Sequence, residues 1–408
     1  MGFQPFSSPY DWSRIARFKQ TAQTAQAAPG GMADLSVGSP VDPVPASVRD
    51  ALAAASDAPN AHGYPVTAGT ADLRGAIADW FRHLRGVDLE AVGAHVVPTV
   101  GSKEAVALMA SLLHLGAGDV VVQPRVSYPT YEIGTQLAGA TVLKVDDVAD
   151  VESWAHVPGV RAVWVNSPSN PSGGVLDAAA LRGIVEAARG IGAVVLSDEC
   201  YALMDWRGVR ASVSLPSESN EPAAAGAYSL TATPCALASA VCGGSAQGVL
   251  VLYSLSKQSN MAGYRTAFIA GDAALVDEMV GYRKQIGQII PGPVQAAMAA
   301  GLRDVAAVRT QWERYRRRLL TLVDALRAYG YDAAMPDGAL YVWVRARSGD
   351  CWADMADLAR IGIVPSPGEF YAAPAYLRFA ATASDATIDA AAARLRDSAS
   401  RVDYTNRR

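Results

Sequence analysis

Seven short apolar runs punctuate the middle of the chain, and several are apolar throughout. They fall at 94–99, 119–123, 141–145, 162–166, 193–197, 249–254 and 265–270. A strand with one face in water alternates apolar and polar residues, whereas a continuously apolar strand has both faces covered. Between the runs lie alanine-rich stretches with helical spacing, among them 104–115, 178–189 and 273–286. Strand, helix, strand in succession predicts an α/β domain: a mainly parallel sheet flanked by helices in three layers.

From about residue 300 the texture changes. Residues 305–328 read as one long amphipathic helix, 338–344 as a strand, 354–360 as a helix, 377–380 as a strand and 388–398 as a last helix. These predict a smaller α+β domain, against which the proline-bearing first 45 residues lie. The expected division is a large domain over 46–300 and a small one formed by 1–45 with 301–408. Residues 211–248, rich in Ala, Ser, Gly and Pro, read as a long surface loop or insertion.

Charge narrows the function classes. A net charge of -4 and a pI near 5.8 give no electrostatic footprint for nucleic acid or an anionic membrane. The dense basic run Arg314-Tyr315-Arg316-Arg317-Arg318 sits in a helical stretch and reads as a solvated face. No apolar run is long enough to cross a membrane, and residues 1–12 lack a signal-peptide pattern. The four cysteines form no C-x-x-C pair, and the five histidines show no metal-ligand spacing. This usage fits a reducing cytoplasm and no metal centre.

In sheets of this kind ligands sit beyond the carboxyl ends of the strands. After the 94–99 run comes Gly101-Ser102-Lys103, opening a helix: either plain capping or a phosphate site on free N–H groups. After 193–197 comes Asp198-Glu199-Cys200-Tyr201. A carboxylate there needs a cation or donors, which a helix cap, a buried arginine or a protonated cofactor nitrogen would each supply. After 162–166 comes a proline-fixed turn carrying Asn170, whose amide serves the turn or a ligand hydroxyl. After 249–254 come Ser256-Lys257 and then Arg265. A lysine at the mouth of a buried strand is suited to Schiff-base chemistry, and two serine hydroxyls with a guanidinium suit a phosphate dianion.

The motifs Gly101-Ser102-Lys103, Asn170-Pro171-Ser172-Gly173, Asp198-Glu199-Cys200-Tyr201 and Ser254-Leu255-Ser256-Lys257 through Arg265 occur in that order. In this the chain resembles the fold-type I, pyridoxal 5′-phosphate (PLP)-dependent aminotransferases, class I/II, of the aspartate aminotransferase superfamily. The resemblance implies that Lys257 holds the cofactor as a Schiff base and moves the substrate proton. Asp198 would keep the ring nitrogen protonated, Tyr201 and Asn170 would bond the ring oxygen, and Tyr128 would stack on the ring. Gly101, Ser102, Lys103, Ser254 and Arg265 would hold the phosphate. Tyr64 would reach the phosphate of a neighbouring subunit, making the active form a homodimer with shared sites. Arg378 would grip the substrate α-carboxylate beside Asn170 and the backbone of Gly38. The implied partners are amino acids and 2-oxo acids. Ala267 stands where a glycine is often found, a minor departure.

Four segments, 35–45, 197–201, 256–265 and 9–12, further resemble the actinobacterial type of N-succinyldiaminopimelate aminotransferase. That implies amino transfer from L-glutamate to N-succinyl-2-amino-6-oxopimelate, in the route to diaminopimelate and lysine. An aspartate or broad-specificity aminotransferase is the alternative. Both substrates are acidic, and Arg125 and Lys103 are the candidates for the distal carboxylate.

Overall fold

The computed structural model describes residues 11–25, 31–210 and 232–405. Seven strands form the main sheet. They are β1 (Ala94–Val100), β2 (Val120–Pro124), β3 (Thr141–Val145), β4 (Val160–Asn166), β5 (Val194–Asp198), β6 (Val249–Ser254) and β7 (Thr266–Asp272). Their spatial order is β1-β7-β6-β5-β4-β2-β3. All pairings among β2 to β6 are parallel, and β7 pairs antiparallel with both β6 and β1. The fold is therefore the three-layer α/β arrangement expected from the apolar runs.

Both faces of the sheet are buried, for a visible reason. Val163 and Val165 of β4 join one apolar cluster, while Ala162 and Trp164 of the same strand join another on the opposite face. Helices Ser102–Leu112 and Ala178–Gly190 supply the covering side chains on the two sides. A third cluster joins Ile15, Phe18 and Leu35 to the far end of the chain, including Leu319, Tyr341, Leu377 and Leu395. There β8 (Tyr341–Arg345), β9 (Ser366–Pro367) and β10 (Tyr376–Ala380) form an antiparallel sheet in the order β9-β10-β8. Ala33–Asp34 pairs in parallel with Ile363–Val364, which ties the early chain to this layer.

Two expectations are corrected. The basic run is not simply a solvated face. Arg318 is buried, and its guanidinium grips both carboxylate oxygens of Asp42 at 2.6 and 2.7 Å and Asp385 at 2.6 Å. Tyr315 is buried too and donates to the main-chain oxygen of Lys257 at 3.1 Å. Second, the 232–248 part of the expected surface loop packs inward. Cys235, Ala236, Leu237 and Val241 are core residues, and the Ala236 N–H donates to Glu199 at 2.8 Å. Buried Arg85 pairs with the same Glu199 at 2.7 Å and bonds the carbonyl of Thr233. Residues 211–231 of that stretch lie outside the described residues. Among the described residues no helix is long and apolar enough to cross a membrane.

Candidate active site

Parallel strands deliver their last residues to one edge, so what terminates them faces a common space. Asn166 and Asp198 stand in register at the ends of β4 and β5, and Asp198 is in register with Leu252 of β6. Beyond them opens a cavity of about 320 Å³. Of the residues singled out from sequence, Gly38, Ser102, Lys103, Tyr128, Asn170, Asp198, Tyr201, Ser254, Lys257, Arg265 and Arg378 line it. They come from seven separate stretches of chain spanning 340 positions, from 38 to 378.

One end of the cavity is built for an anion. Gly101 turns the chain with φ +78° into helix Ser102–Leu112, and as N-cap it has no side chain to satisfy the first N–H groups. A Cβ on Gly101 would run into the Arg265 guanidinium, so the glycine makes room for that cation. Arg265 itself sits in the left-handed region at φ +58° and is steadied by the Ala262 carbonyl at 2.8 Å. The Ser254 hydroxyl lies 2.8 Å from that of Ser256.

In the middle stands Asp198. One of its oxygens accepts the Tyr131 hydroxyl at 2.7 Å and the other the Cys200 N–H at 3.2 Å. Burial pushes its carboxyl above the usual range, and those two donors pull it back. Asn166 braces the neighbourhood: its amide donates to the Asp198 carbonyl at 3.0 Å, and its oxygen accepts the Asn170 N–H at 2.8 Å. The half-buried Lys257 points its side-chain nitrogen at the Gly38 carbonyl. Burial, with Asp198 beside it, holds the Cys200 thiol far up, which makes it a poor nucleophile at neutral pH.

At the far end lies Arg378, buried on β10. One terminal nitrogen donates to Asn170 Oδ1 and the other to the Ser36 carbonyl, each at 2.8 Å. Its Nε is buried with no hydrogen-bond partner. The guanidinium carbon lies 4.1 Å from the Tyr341 ring centre and 4.9 Å from that of Tyr371. Burial opposes the charge, and the surrounding tyrosine hydroxyls more than offset it. The Tyr201 and Tyr341 hydroxyls share a hydrogen bond at 2.8 Å.

Two sequence-predicted residues lie elsewhere. Tyr64 is fully exposed and away from this cavity. Arg125, a candidate for the distal carboxylate, is turned outward into an ion pair with exposed Asp146 at 2.6 Å, so it is set aside within this subunit. Sequence reasoning missed Tyr131, Asn166, Tyr341 and Trp12 as contributors. Tyr131 follows Tyr128 by three residues, and that spacing on one turn was the available signal.

The geometry meets independent likeness. A family model described as aminotransferase class I and II matches residues 31–395. The chain belongs to that family. This aminotransferase is 42% identical over 388 residues to the 4-dedimethylamino-4-oxo-anhydrotetracycline transaminase OxyQ of Streptomyces rimosus, covering 95% of this chain and 98% of that one. It is 41% identical to the probable aminotransferase Rv1178 of Mycobacterium tuberculosis, over 95% of this chain and 84% of the relative. Its fold matches that of a probable N-succinyldiaminopimelate aminotransferase from Thermus thermophilus with TM-score 0.78 at 24% identity, covering 95% and 99% of the two chains.

Enzymes of this family and fold depend on PLP, and the residues fit that group. An arginine, two serines and an open helix N-terminus suit its phosphate dianion. Asp198, whose charge burial disfavours, gains from a cationic ring nitrogen beside it. The Lys257 amine lines the same cavity. When bound, PLP supplies an electron sink for the bonds at the substrate α-carbon.

Proposed function

We propose that this aminotransferase moves an amino group between L-glutamate and N-succinyl-2-amino-6-oxopimelate, the N-succinyl-L,L-diaminopimelate:2-oxoglutarate reaction of diaminopimelate and lysine biosynthesis. One observation carries the reading. The four segments that resemble that branch of the family all send residues into the same cavity: Trp12, Gly38 and Ser39, Asp198 with Cys200 and Tyr201, and Ser256, Lys257, Ala262 and Arg265. Residues 9–10 of the first segment lie outside the described residues.

In this reading the chain's own groups divide the labour. Arg378, held in place by Asn170 and Ser36, takes the α-carboxylate and fixes the orientation of the α-carbon. Lys257 moves the proton at that carbon, and Gly38 steadies its amine through the main-chain oxygen. Asp198 keeps the ring nitrogen protonated, Tyr201 and Asn170 bond the ring oxygen, and Tyr128 stacks on the ring. Gly101, Ser102, Lys103, Ser254 and Arg265 hold the phosphate. Lys103, exposed at the cavity edge, is left as the candidate cation for a distal carboxylate. The 46–300 unit carries the cofactor, and the 1–45 and 301–408 unit carries Arg378. The exposed Tyr64 serves a second copy in a homodimer, and buried free thiols at Cys200, Cys235, Cys242 and Cys351 support a cytoplasmic enzyme.

The test is a panel of oxo substrates with purified protein and glutamate: the succinylated oxo acid, oxaloacetate and the 4-oxo compound named for the Streptomyces relative. The reading expects kcat/KM for the succinylated substrate at least about tenfold above the others, a difference of about 1.4 kcal/mol. Preference for oxaloacetate would return the chain to the aspartate or broad-specificity reading.

A further inference from the structure

We propose that Trp12 and Phe370 form an aromatic wall that selects substrates with a long hydrocarbon body, and that Trp12 is a specificity-determining residue. This rests on the transamination site proposed above and names what the far part of the substrate touches.

Both rings line the cavity together with Tyr371. They meet edge to face, with centroids 5.2 Å apart and planes at 64°. The wall starts at the substrate-carboxylate end, because Tyr371 lies 4.9 Å from the Arg378 guanidinium and Phe370 is its chain neighbour. A substrate anchored by its α-carboxylate on Arg378 therefore has aromatic surface next to it, running through Tyr371 and Phe370 to Trp12. A short oxo acid meets only the Tyr371 end of the wall. A chain of methylenes or an acyl group gains apolar contact along it.

The indole is placed deliberately for a residue so near the start of the described chain. Asp11 caps the turn by accepting the Ser13 N–H at 2.9 Å. Arg14 then bonds Glu369, the residue before Phe370, at 2.5 Å, and stacks 4.3 Å above the Trp352 ring. The Trp352 indole N–H donates to the same Glu369 at 2.5 Å. Phe18 stacks on Trp352 with centroids 5.8 Å apart. One carboxylate thus fastens the Trp12 turn to the turn carrying Phe370. Trp12 is nonetheless 38% exposed, which suits a residue that a ligand covers rather than one that fills a core. Among the described residues lining the cavity, Arg378 is the cation not given to the cofactor, and Asp198, the lining carboxylate, faces the cofactor ring in the reading above. The occupant is accordingly anchored by a carboxylate at Arg378 and extends along the wall from there.

The experiment uses the holoenzyme and two unreactive dicarboxylates, pimelate as the long probe and maleate as the short one, titrated through the absorbance of the bound cofactor. Trp12→Ala should raise the pimelate dissociation constant about tenfold more than that of maleate, the loss expected for one large aromatic contact. Trp12→Phe should restore most of it. Phe370→Leu, on the other half of the wall, should shift the same ratio in the same direction and decides the matter if Trp12→Ala melts early. An unchanged pimelate-to-maleate ratio in folded variants overturns the proposal. A shifted ratio in an enzyme that ignores the succinylated oxo acid upholds the wall and sinks only the substrate named above.

Discussion

Tyr131 gives its hydroxyl hydrogen to Asp198 Oδ2 across 2.7 Å, and both residues are buried. The tyrosine ring is stacked on Trp164, with centroids 4.6 Å apart and planes at 21°, so the hydroxyl is held where it is. A donor to a carboxylate favours its charged form. Without it the Asp198 carboxyl, already pushed up by burial, rises further. Tyr131→Phe should therefore move the acid limb of the kcat/KM profile to higher pH. At neutral pH it should cost about tenfold or more, as a hydrogen bond to a charged group is worth about 1.5–3 kcal/mol. A profile that keeps its acid limb would contradict the link.

The same carboxylate sets function against stability. Its folded-state pKa is raised, chiefly by burial, so its contribution is favourable below the unfolded value and lost as pH rises through the folded value. In the cofactor-free protein at neutral pH the charge is a cost. Asp198→Asn should raise the apo melting temperature at pH 7 by about 2 °C per kcal/mol relieved, and the gain should shrink near pH 4. The cofactor should still bind, with proton removal from the substrate slowed. Calorimetry of the apo variants at the two pH values checks the sign, and a lower apo melting temperature at pH 7 would refute it.

Arg378 offers a fork fixed at two points, Asn170 Oδ1 and the Ser36 carbonyl. Lysine keeps the charge but not the geometry. Arg378→Lys should raise the KM for glutamate about 30-fold, the equivalent of about 2 kcal/mol, with a smaller change in kcat. Steady-state kinetics at saturating oxo acid measures the split; an unchanged KM would remove Arg378 from substrate binding.

The Asp42–Arg318 pair predicts a stability result. Arg318→Met leaves half-buried Asp42 without its ion-pair partner, with Gln311 still donating to it at 2.8 Å, and should cost about 3 kcal/mol, whereas the double change with Asp42→Asn should cost less. Urea unfolding of the two variants compares them. A double variant less stable than the single would show that the pair is not what the helix needs.

The sheet was legible because burial on both faces leaves a continuous apolar signature. Each of the seven apolar runs overlaps one of the strands β1 to β7. The long helix Val305–Ala328 likewise shows its apolar stripe over many turns. Less legible were Ala46–Ser56, Ala71–Trp80 and Gly292–Arg303, where alanine and glycine blur the contrast between faces. Residues 232–248 read as a loop because small core residues such as Ala236 and Cys242 carry no periodicity. Arg318 read as solvated because its partners, Asp42 and Asp385, lie 276 and 67 positions away. In the site, Asp198 and Lys257 stood out because polar groups that end apolar strands need a reason. Trp12, Phe370 and Tyr341 did not, since packing of the C-terminal layer, not local pattern, brings them to the cavity.

The central claim is that the Lys257 amine carries the cofactor at the mouth of β6. Reduction of the holoenzyme with borohydride, followed by proteolysis and mass spectrometry, tests it without relying on turnover. The account expects a phosphopyridoxyl group on the peptide containing Lys257 and its loss in Lys257→Ala. A label on Lys103, the other lysine at the cavity, or no label on any lysine would contradict it.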